Sequence, residues 1–479
     1  MKPCPQSNKH HWWIILSALM IALNPALGRA QAGNGSTTIH FRPDDAKAGD
    51  VIPFYHQGTY HVFYMRESNW GHIASEDLVN WRILPDAITK GQDSLGADGE
   101  GCWTGSIVEH QGLFYLFYTG KNSKDPKGDQ KVMMATSKDL VRWVKAPQHT
   151  FYADGNIYWN KTMNGSIDDK LDYHHQAFRD PDVFWNEERS EWWMLLHATL
   201  TDGTAPAMGL YTSKDIINWK PSKPLLVYPA EISGDCPFIF PSKGKWFLNF
   251  ADYHYLTADN LEGPYEETAK AFDCGDLRVP KIMWDGRRFI LVGWILDYHG
   301  EVDSGKPNWG GTLCMPRELW TDSLGNEFQR PAQEILTHFQ SIDVRRSEKF
   351  VTDQRIDIPA DFMFHAQLKA KTPQTTLTVR FPQEVNHLDS GYHLKIDFQS
   401  REIELGSHYK SYRRICDFDP EGMVDVRIFM LGDVLECFIN DAWAFTMRAY
   451  GKRNGDMSIS IQDGAINISK YEVFKPTSL

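Results

Sequence analysis

The chain contains no C-x-x-C cysteine pair, no excess of positive charge, and no apolar stretch of bilayer-spanning length anywhere in its 479 residues. The lack of cysteine pairs at metal-ligand spacing speaks against a structural zinc site. A net charge of -12, from 50 Lys and Arg against 62 Asp and Glu, removes nucleic acid and anionic membrane surfaces as default partners. A membrane span needs about 20 apolar residues, so none is expected. What is abundant is core material, at 42% hydrophobic, and aromatic rings: 17 Trp, 19 Tyr and 26 Phe. That balance excludes disorder as the main state and suits a β-rich protein with flat stacking surfaces.

The N-terminus reads as a targeting segment. Lys2 and Lys9 precede an apolar run from Trp12 to Leu23, followed by Asn24-Pro25 and Ala30-Gln31-Ala32. A basic region, a short apolar region and a small-residue cleavage site predict a secretory signal over residues 1–32. The mature protein is then expected to be secreted or periplasmic. Cys4 leaves with the signal, and cysteines remain at 102, 236, 274, 314, 416 and 437. Export permits disulfides, and Cys416 with Cys437 is one conceivable pair.

Internal repetition organises the next three hundred residues. Gly58-Thr-Tyr-His-Val-Phe-Tyr64 is followed by Ser75-Glu-Asp-Leu-Val-Asn-Trp81, and the phrase returns as Gly112-Leu-Phe-Tyr-Leu-Phe-Tyr118 with Ser137-Lys-Asp-Leu-Val-Arg-Trp143. A third copy joins Glu191-Trp-Trp-Met-Leu-Leu-His197 to Ser213-Lys-Asp-Ile-Ile-Asn-Trp219. Weaker copies start at Gly244 and Asp285. Each unit reads as a four-stranded antiparallel sheet that cannot bury both faces alone, so successive units must stack. Five units predict an all-β fold, a five-bladed β-propeller over residues 33–335. Beyond Arg330-Pro331 the texture changes to closely spaced alternating strands, such as Phe364–Lys371, Thr376–Phe381, Val424–Met430 and Leu435–Ile439. These predict a C-terminal β-sandwich over 341–479, read as a buttress because no exposed aromatic trio marks a binding face.

In a propeller the innermost strand of each blade aims its end into a central funnel. The segments in that position place Asp50, Asp180 and Asp235 at one register, each near a strand proline. Single loop acids are usually solvated. Three at one register suggest paired-carboxylate chemistry, as used on glycosidic bonds. Asp180 also has a plain structural reading, a salt bridge with Arg179 or Arg278.

At this point the chain resembles glycoside hydrolase family 32, which includes invertases, inulinases and levanases. The resemblance rests on an ordered series of motifs. Trp70-Gly-His-Ile-Ala-Ser75 comes first, and Trp103-Thr-Gly-Ser106 is similar to F-S-G-S. Arg179-Asp180-Pro181 matches R-D-P, and Asp235-Cys236-Pro237 is similar to E-C-P. Gly293-Trp294 and Pro316-Arg317-Glu318-Leu319 follow. The resemblance implies Asp50 as nucleophile, Asp180 as the acid that holds ring hydroxyls and stabilises the transition state, and the E-C-P position as general acid/base. It implies no cofactor and no metal.

Two departures stand out. The family's W-M-N-D-P-N-G is Lys47-Ala-Gly-Asp-Val-Ile-Pro53 here, which keeps only the aspartate, and Asp235 replaces a glutamate. Glu231, four residues earlier, is therefore a second candidate for the acid. Trp70, Trp103, Ser106, Arg179 and Arg278 are the candidate substrate-binding residues, with Trp70 and Trp103 expected on the rim. Arg278 stands where an aromatic would be expected; an anionic substrate group is one reading, and an ion pair with Asp180 or Asp276 is the other.

The expectation is a glycosidase acting on terminal furanosides, most of all β-fructofuranosides, by a retaining mechanism with carboxyls on the order of 5–6 Å apart. Two alternatives remain open: an arabinofuranosidase-like inverting hydrolase on the same propeller, and a catalytically silent carbohydrate-binding propeller. The expected partner is an oligo- or polysaccharide.

Overall fold

The computed structural model describes residues 39–477 except 166–176, 204, 230–231, 251–253, 268–272, 323, 325, 347–349, 352, 383–390 and 452–455. The expected signal segment, with Cys4, and Glu231 lie outside the described residues. The fold is nearly all β. No described helix is long and apolar enough to cross a membrane.

Five antiparallel sheets follow one another along the chain. The first runs Val51–His56, Thr59–Arg66, Asn69–Ser75 and Arg82–Ile88. The second is Gly101–His110, Leu113–Lys121, Gln130–Ser137 and Val144–Lys145, and the third Phe178–Asn186, Glu191–Thr199, Pro206–Ser213 and Lys220–Val227. The fourth opens with Phe238–Ser242. The fifth opens with Leu277–Trp284 and Phe289–Tyr298, onto which Pro307–Leu313 adds a further strand.

The repeated sequence phrases are local turn chemistry. In the hairpins that open the first two sheets, Gln57-Gly58 and Gln111-Gly112 both take left-handed φ, the geometry of a tight two-residue turn. In Ser-x-Asp-Leu the serine hydroxyl donates to the aspartate, whose Oδ1 also accepts two backbone N–H groups. Asp77 is bound in this way by Ser75, Val79 and Asn80, and Asp139 by Ser137, Val141 and Arg142. The next residue, Leu78, Leu140 or Ile216, turns with φ near 62° and is buried. The motif thus ends the third strand and plugs the sheet with one apolar side chain.

Five apolar cores lie between neighbouring sheets. Ile52, Phe63 and Trp70 meet Cys102, Ile107 and Leu116, and Phe117 and Val132 meet Phe178 and Val183. Trp193 and Leu195 meet Leu248 and Phe250, and Phe238 and Phe247 meet Leu277 and Leu291. Met283, Ile290 and Val292 of the fifth sheet also share a core with Val51, Tyr60 and Val62 of the first.

The C-terminal residues form two further sheets around one shared core, which holds Phe364 and Val426 from one and Leu377 and Leu394 from the other. Cys274–Gly275 leaves the earlier part of the chain to pair in parallel with Trp443–Arg448. Buried ion pairs bind the two parts together. Arg317 donates to Asp273 at 2.8 Å and to Glu436 at 2.6 Å, and Arg448 pairs with Asp297 at 2.7 Å. Asp276 likewise accepts from Tyr298, Tyr412 and Lys410. The six cysteines among the described residues form no disulfide, so the conceivable pair of Cys416 with Cys437 is not bridged. Both are buried, Cys437 inside its strand and Cys416 just past the strand Ser411–Ile415.

Candidate active site

Asp50 ends the segment leading into Val51–His56, Asp180 lies in Phe178–Asn186, and Asp235 with Cys236 precedes Phe238–Ser242. The first strands of three sheets therefore deliver the three acids to one cavity of about 640 Å³, lined also by Trp103, Arg179, Arg278, Trp294 and Trp309. Arg278 donates to the carbonyls of Gly275 and Leu277, which ties it to its own strand start.

Cys236 is the hub. Its φ of 53° turns the chain so that the backbone N–H donates to Asp180 Oδ2 at 3.0 Å. Its Sγ lies 3.6 Å from that oxygen and 3.7 Å from Asp50 Oδ2. Burial, together with the charges of Asp180 and Asp50, drives the thiol pKa well above its ordinary value, so it stays an S–H donor between two carboxylates. Trp294 donates its indole N–H to Asp50 Oδ1 at 3.0 Å.

The two remaining acids are pushed apart. Asp180, 4% exposed, is pushed up to about 6 by burial and by the charge of Asp235, with Arg179 acting against the shift. For Asp235 burial also acts upward, but Arg179, His197 and Ser233 outweigh it and hold the carboxyl below its ordinary value. Arg179 reaches Asp235 Oδ1 with Nε at 2.6 Å and Nη2 at 2.5 Å. A proton donor is expected to have a raised pKa, and in this geometry Asp235 does not; the buried guanidinium is the reason. Beneath the acids, Lys281 donates to the Gly105 carbonyl at 3.0 Å, and Asp182 accepts the Ile239 N–H at 3.3 Å.

Two expected site residues are not at the cavity. Trp70 is fully buried between the first two sheets and donates to the Trp103 carbonyl at 3.1 Å, so it supports Trp103 and does not reach the rim. Ser106 accepts the Val183 N–H at 2.9 Å and stitches the second sheet to the third. In both cases the neighbouring sheet covers the side chain, which the local motif does not reveal. Sequence reasoning missed Trp309. Its ring lies on Gly49, where an added Cβ would stand 2.1 Å from Cζ2. The glycine next to Asp50 was the available signal.

The family description "Glycosyl hydrolases family 32 N-terminal domain" matches residues 40–331. An insoluble-isoenzyme β-fructofuranosidase of Arabidopsis thaliana is 29% identical over 62% of this chain and 58% of its own length. The chain thus spans somewhat under two thirds of that relative. A sucrose-6-phosphate hydrolase of Escherichia coli is 26% identical over 80% of this chain and 82% of its own. Among solved structures, fructan 1-exohydrolase IIa from Cichorium intybus shares the fold with a TM-score of 0.71, at 20% identity, over 92% of this chain and 97% of its own. With the family match covering more than half of its residues, the chain belongs to glycosyl hydrolase family 32.

Proposed function

We propose that the protein is a secreted glycosidase that cleaves terminal β-fructofuranosides with retention of configuration. In this reading the five sheets are the blades of a propeller over 33–335, and the two C-terminal sheets are a sandwich over 341–479 that buttresses it. The observation that carries the proposal is the meeting of Asp50, Asp180 and Asp235 in one cavity, with the Cys236 thiol touching the first two. Secretion draws support from the N-terminal signal pattern and from relatives described as cell-wall isozymes, such as that of Pisum sativum.

Asp50 attacks the anomeric carbon. Both of its oxygens are already oriented, one by Trp294 and one by Cys236, so little ordering remains to be done at reaction. Asp180 stands beside it to hold ring hydroxyls and answer the positive charge that develops on the ring. Asp235 protonates the leaving oxygen and then, as a carboxylate, activates the water that releases the sugar. Arg179 favours the carboxylate and so assists the second half-reaction. In the first half the acid must take up a proton and leave that grip. Glu231 is the other candidate for this role.

One observation favours a second reading, sugar binding without turnover: the grip of Arg179 on Asp235 opposes protonation. The purified protein assayed on sucrose, inulin, levan and aryl arabinofuranosides separates the readings. Fructose released with retained configuration is expected. Hydrolysis of arabinofuranosides alone, with inversion, would establish the arabinofuranosidase-like alternative. Binding without hydrolysis of any of them would establish the silent one.

A further inference from the structure

We propose that Ser233 is a catalytic residue whose hydroxyl carries the proton from Asp235 to the leaving oxygen, so that the shortened acid works through a relay. This deepens the glycosidase reading above and rests on its assignment of Asp235 as the donor.

The relay answers a problem of reach. An aspartate carboxyl ends one C–C bond, about 1.5 Å, short of a glutamate at the same register. Here the carboxyl is also drawn back into the third sheet. Arg179 holds Oδ1 with Nε at 2.6 Å and Nη2 at 2.5 Å, and His197 Nδ1 stands 3.5 Å from the same oxygen. Arg179 and His197 are cross-strand partners, and both are buried.

The other oxygen, Oδ2, accepts the Ser233 hydroxyl at 2.5 Å, the length of a strong O–H···O⁻ bond. Ser233 lines the acid cavity together with Asp235. The glycine between them explains why. A Cβ added to Gly234 would collide with Tyr228 Oη and stand 2.8 Å from His197 Nδ1. Gly234 is therefore pressed onto the protein, and its two neighbours face the cavity. A proton on Oδ2 cancels the charge that Arg179 grips. Because Ser233 and Asp235 share one short segment, the hydroxyl stays with the carboxyl as that grip slackens.

A serine hydroxyl both donates and accepts, and its hydrogen turns to suit. In the first half-reaction the proton on Asp235 Oδ2 passes to Ser233 Oγ as the Ser233 proton passes to the glycosidic oxygen. The bond from the anomeric carbon to that oxygen breaks, and Asp50 forms the new bond to the carbon. Ser233 ends as it began, a neutral hydroxyl, and Asp235 ends as a carboxylate. In the second half-reaction water gives a proton to Ser233 Oγ, whose own proton returns to Asp235, and the water oxygen displaces Asp50.

The test reads kcat/KM, which reports the first half-reaction, in mixtures of H2O and D2O and on two leaving groups. With sucrose the unmodified protein is expected to give a bowed dependence on deuterium fraction, because two protons move together. Ser233→Ala should give a straight line and a kcat/KM about 100-fold lower. On an activated aryl fructofuranoside, which needs little protonation, the same variant should lose less than about threefold. Ser233→Thr keeps a hydroxyl and should recover most of the loss, with folding of both variants checked by thermal melts. A straight line for the unmodified protein, sloped or flat, overturns the relay without recourse to a variant. So does a Ser233→Ala that cleaves sucrose at the unmodified rate, or one that loses the same factor on both substrates, the mark of a merely structural role. In each of these cases the donor assignment stands if Asp235→Asn still loses activity selectively on sucrose. If Asp235→Asn shows no such selectivity, the donor assignment itself falls and the relay falls with it.

Discussion

Trp294 donates its indole N–H to Asp50 across the junction of the fifth sheet and the first, at 3.0 Å. Hydrogen bonds to a charged acceptor contribute about 1.5–3 kcal/mol. Trp294→Phe keeps most of the ring volume and removes the donor. We expect kcat/KM on a fructofuranoside to fall by about 10- to 100-fold, mostly through kcat, with a melting temperature near that of the unmodified protein. An unchanged kcat/KM would show that Asp50 is oriented by other groups.

Asp50→Asn removes the attacking charge and leaves an amide oxygen that the Trp294 N–H still reaches. Turnover should drop by several orders of magnitude while the protein still folds. Single-turnover assays on an activated aryl fructofuranoside check this. Ordinary activity in the variant would sink the nucleophile assignment.

Asp182, one layer below the cavity, gives a pH signature in stability. Burial pushes its carboxyl up to about 6 from an ordinary 3.8, with Lys281 acting against the shift. The folded state therefore holds a proton that the unfolded chain has released. Its contribution to stability is fully present below about pH 4 and is lost as pH rises through 6. Asp180 acts in the same direction. Asp182→Asn is neutral at every pH, and its amide oxygen still accepts from Ile239. Relative to the unmodified protein, its melting temperature should gain several degrees between pH 4 and pH 7. Parallel melting curves across that range would contradict a proton held by Asp182.

The parts of this molecule that were legible in the sequence are those set by local chemistry. Ser-x-Asp-Leu could be recognised as a repeat because one aspartate and its own next three residues make the whole turn. Asp50, Asp180 and Asp235 could be aligned because each sits at the start of its sheet's first strand. What was illegible depends on residues far apart in the chain. Trp70 is hidden by the second sheet, and Trp309 reaches Gly49 from about 260 positions away. The downward hold on Asp235 comes from Arg179, whose own motif points to Asp180. An R-D-P triplet names the arginine but not which carboxylate it grips.

That grip decides how the proton donor is to be found. A general acid works only while protonated, so kcat/KM falls as pH rises through its pKa. If Asp235 donates, the Arg179 contact places that fall at low pH. Arg179→Lys replaces a two-nitrogen contact with a single ammonium and weakens the hold on the carboxylate. The basic limb of the profile should then move to higher pH. If Glu231 donates, the same substitution leaves the limb in place. Leaving-group dependence gives an independent reading. Loss of the acid hurts natural sugars with poor leaving groups far more than activated aryl glycosides, and added azide restores turnover by replacing the activated water. Asp235→Asn is expected to show both effects and Glu231→Gln neither. If only Glu231→Gln shows them, and Arg179→Lys leaves the basic limb unmoved, the donor is Glu231 and Asp235 serves to anchor Arg179.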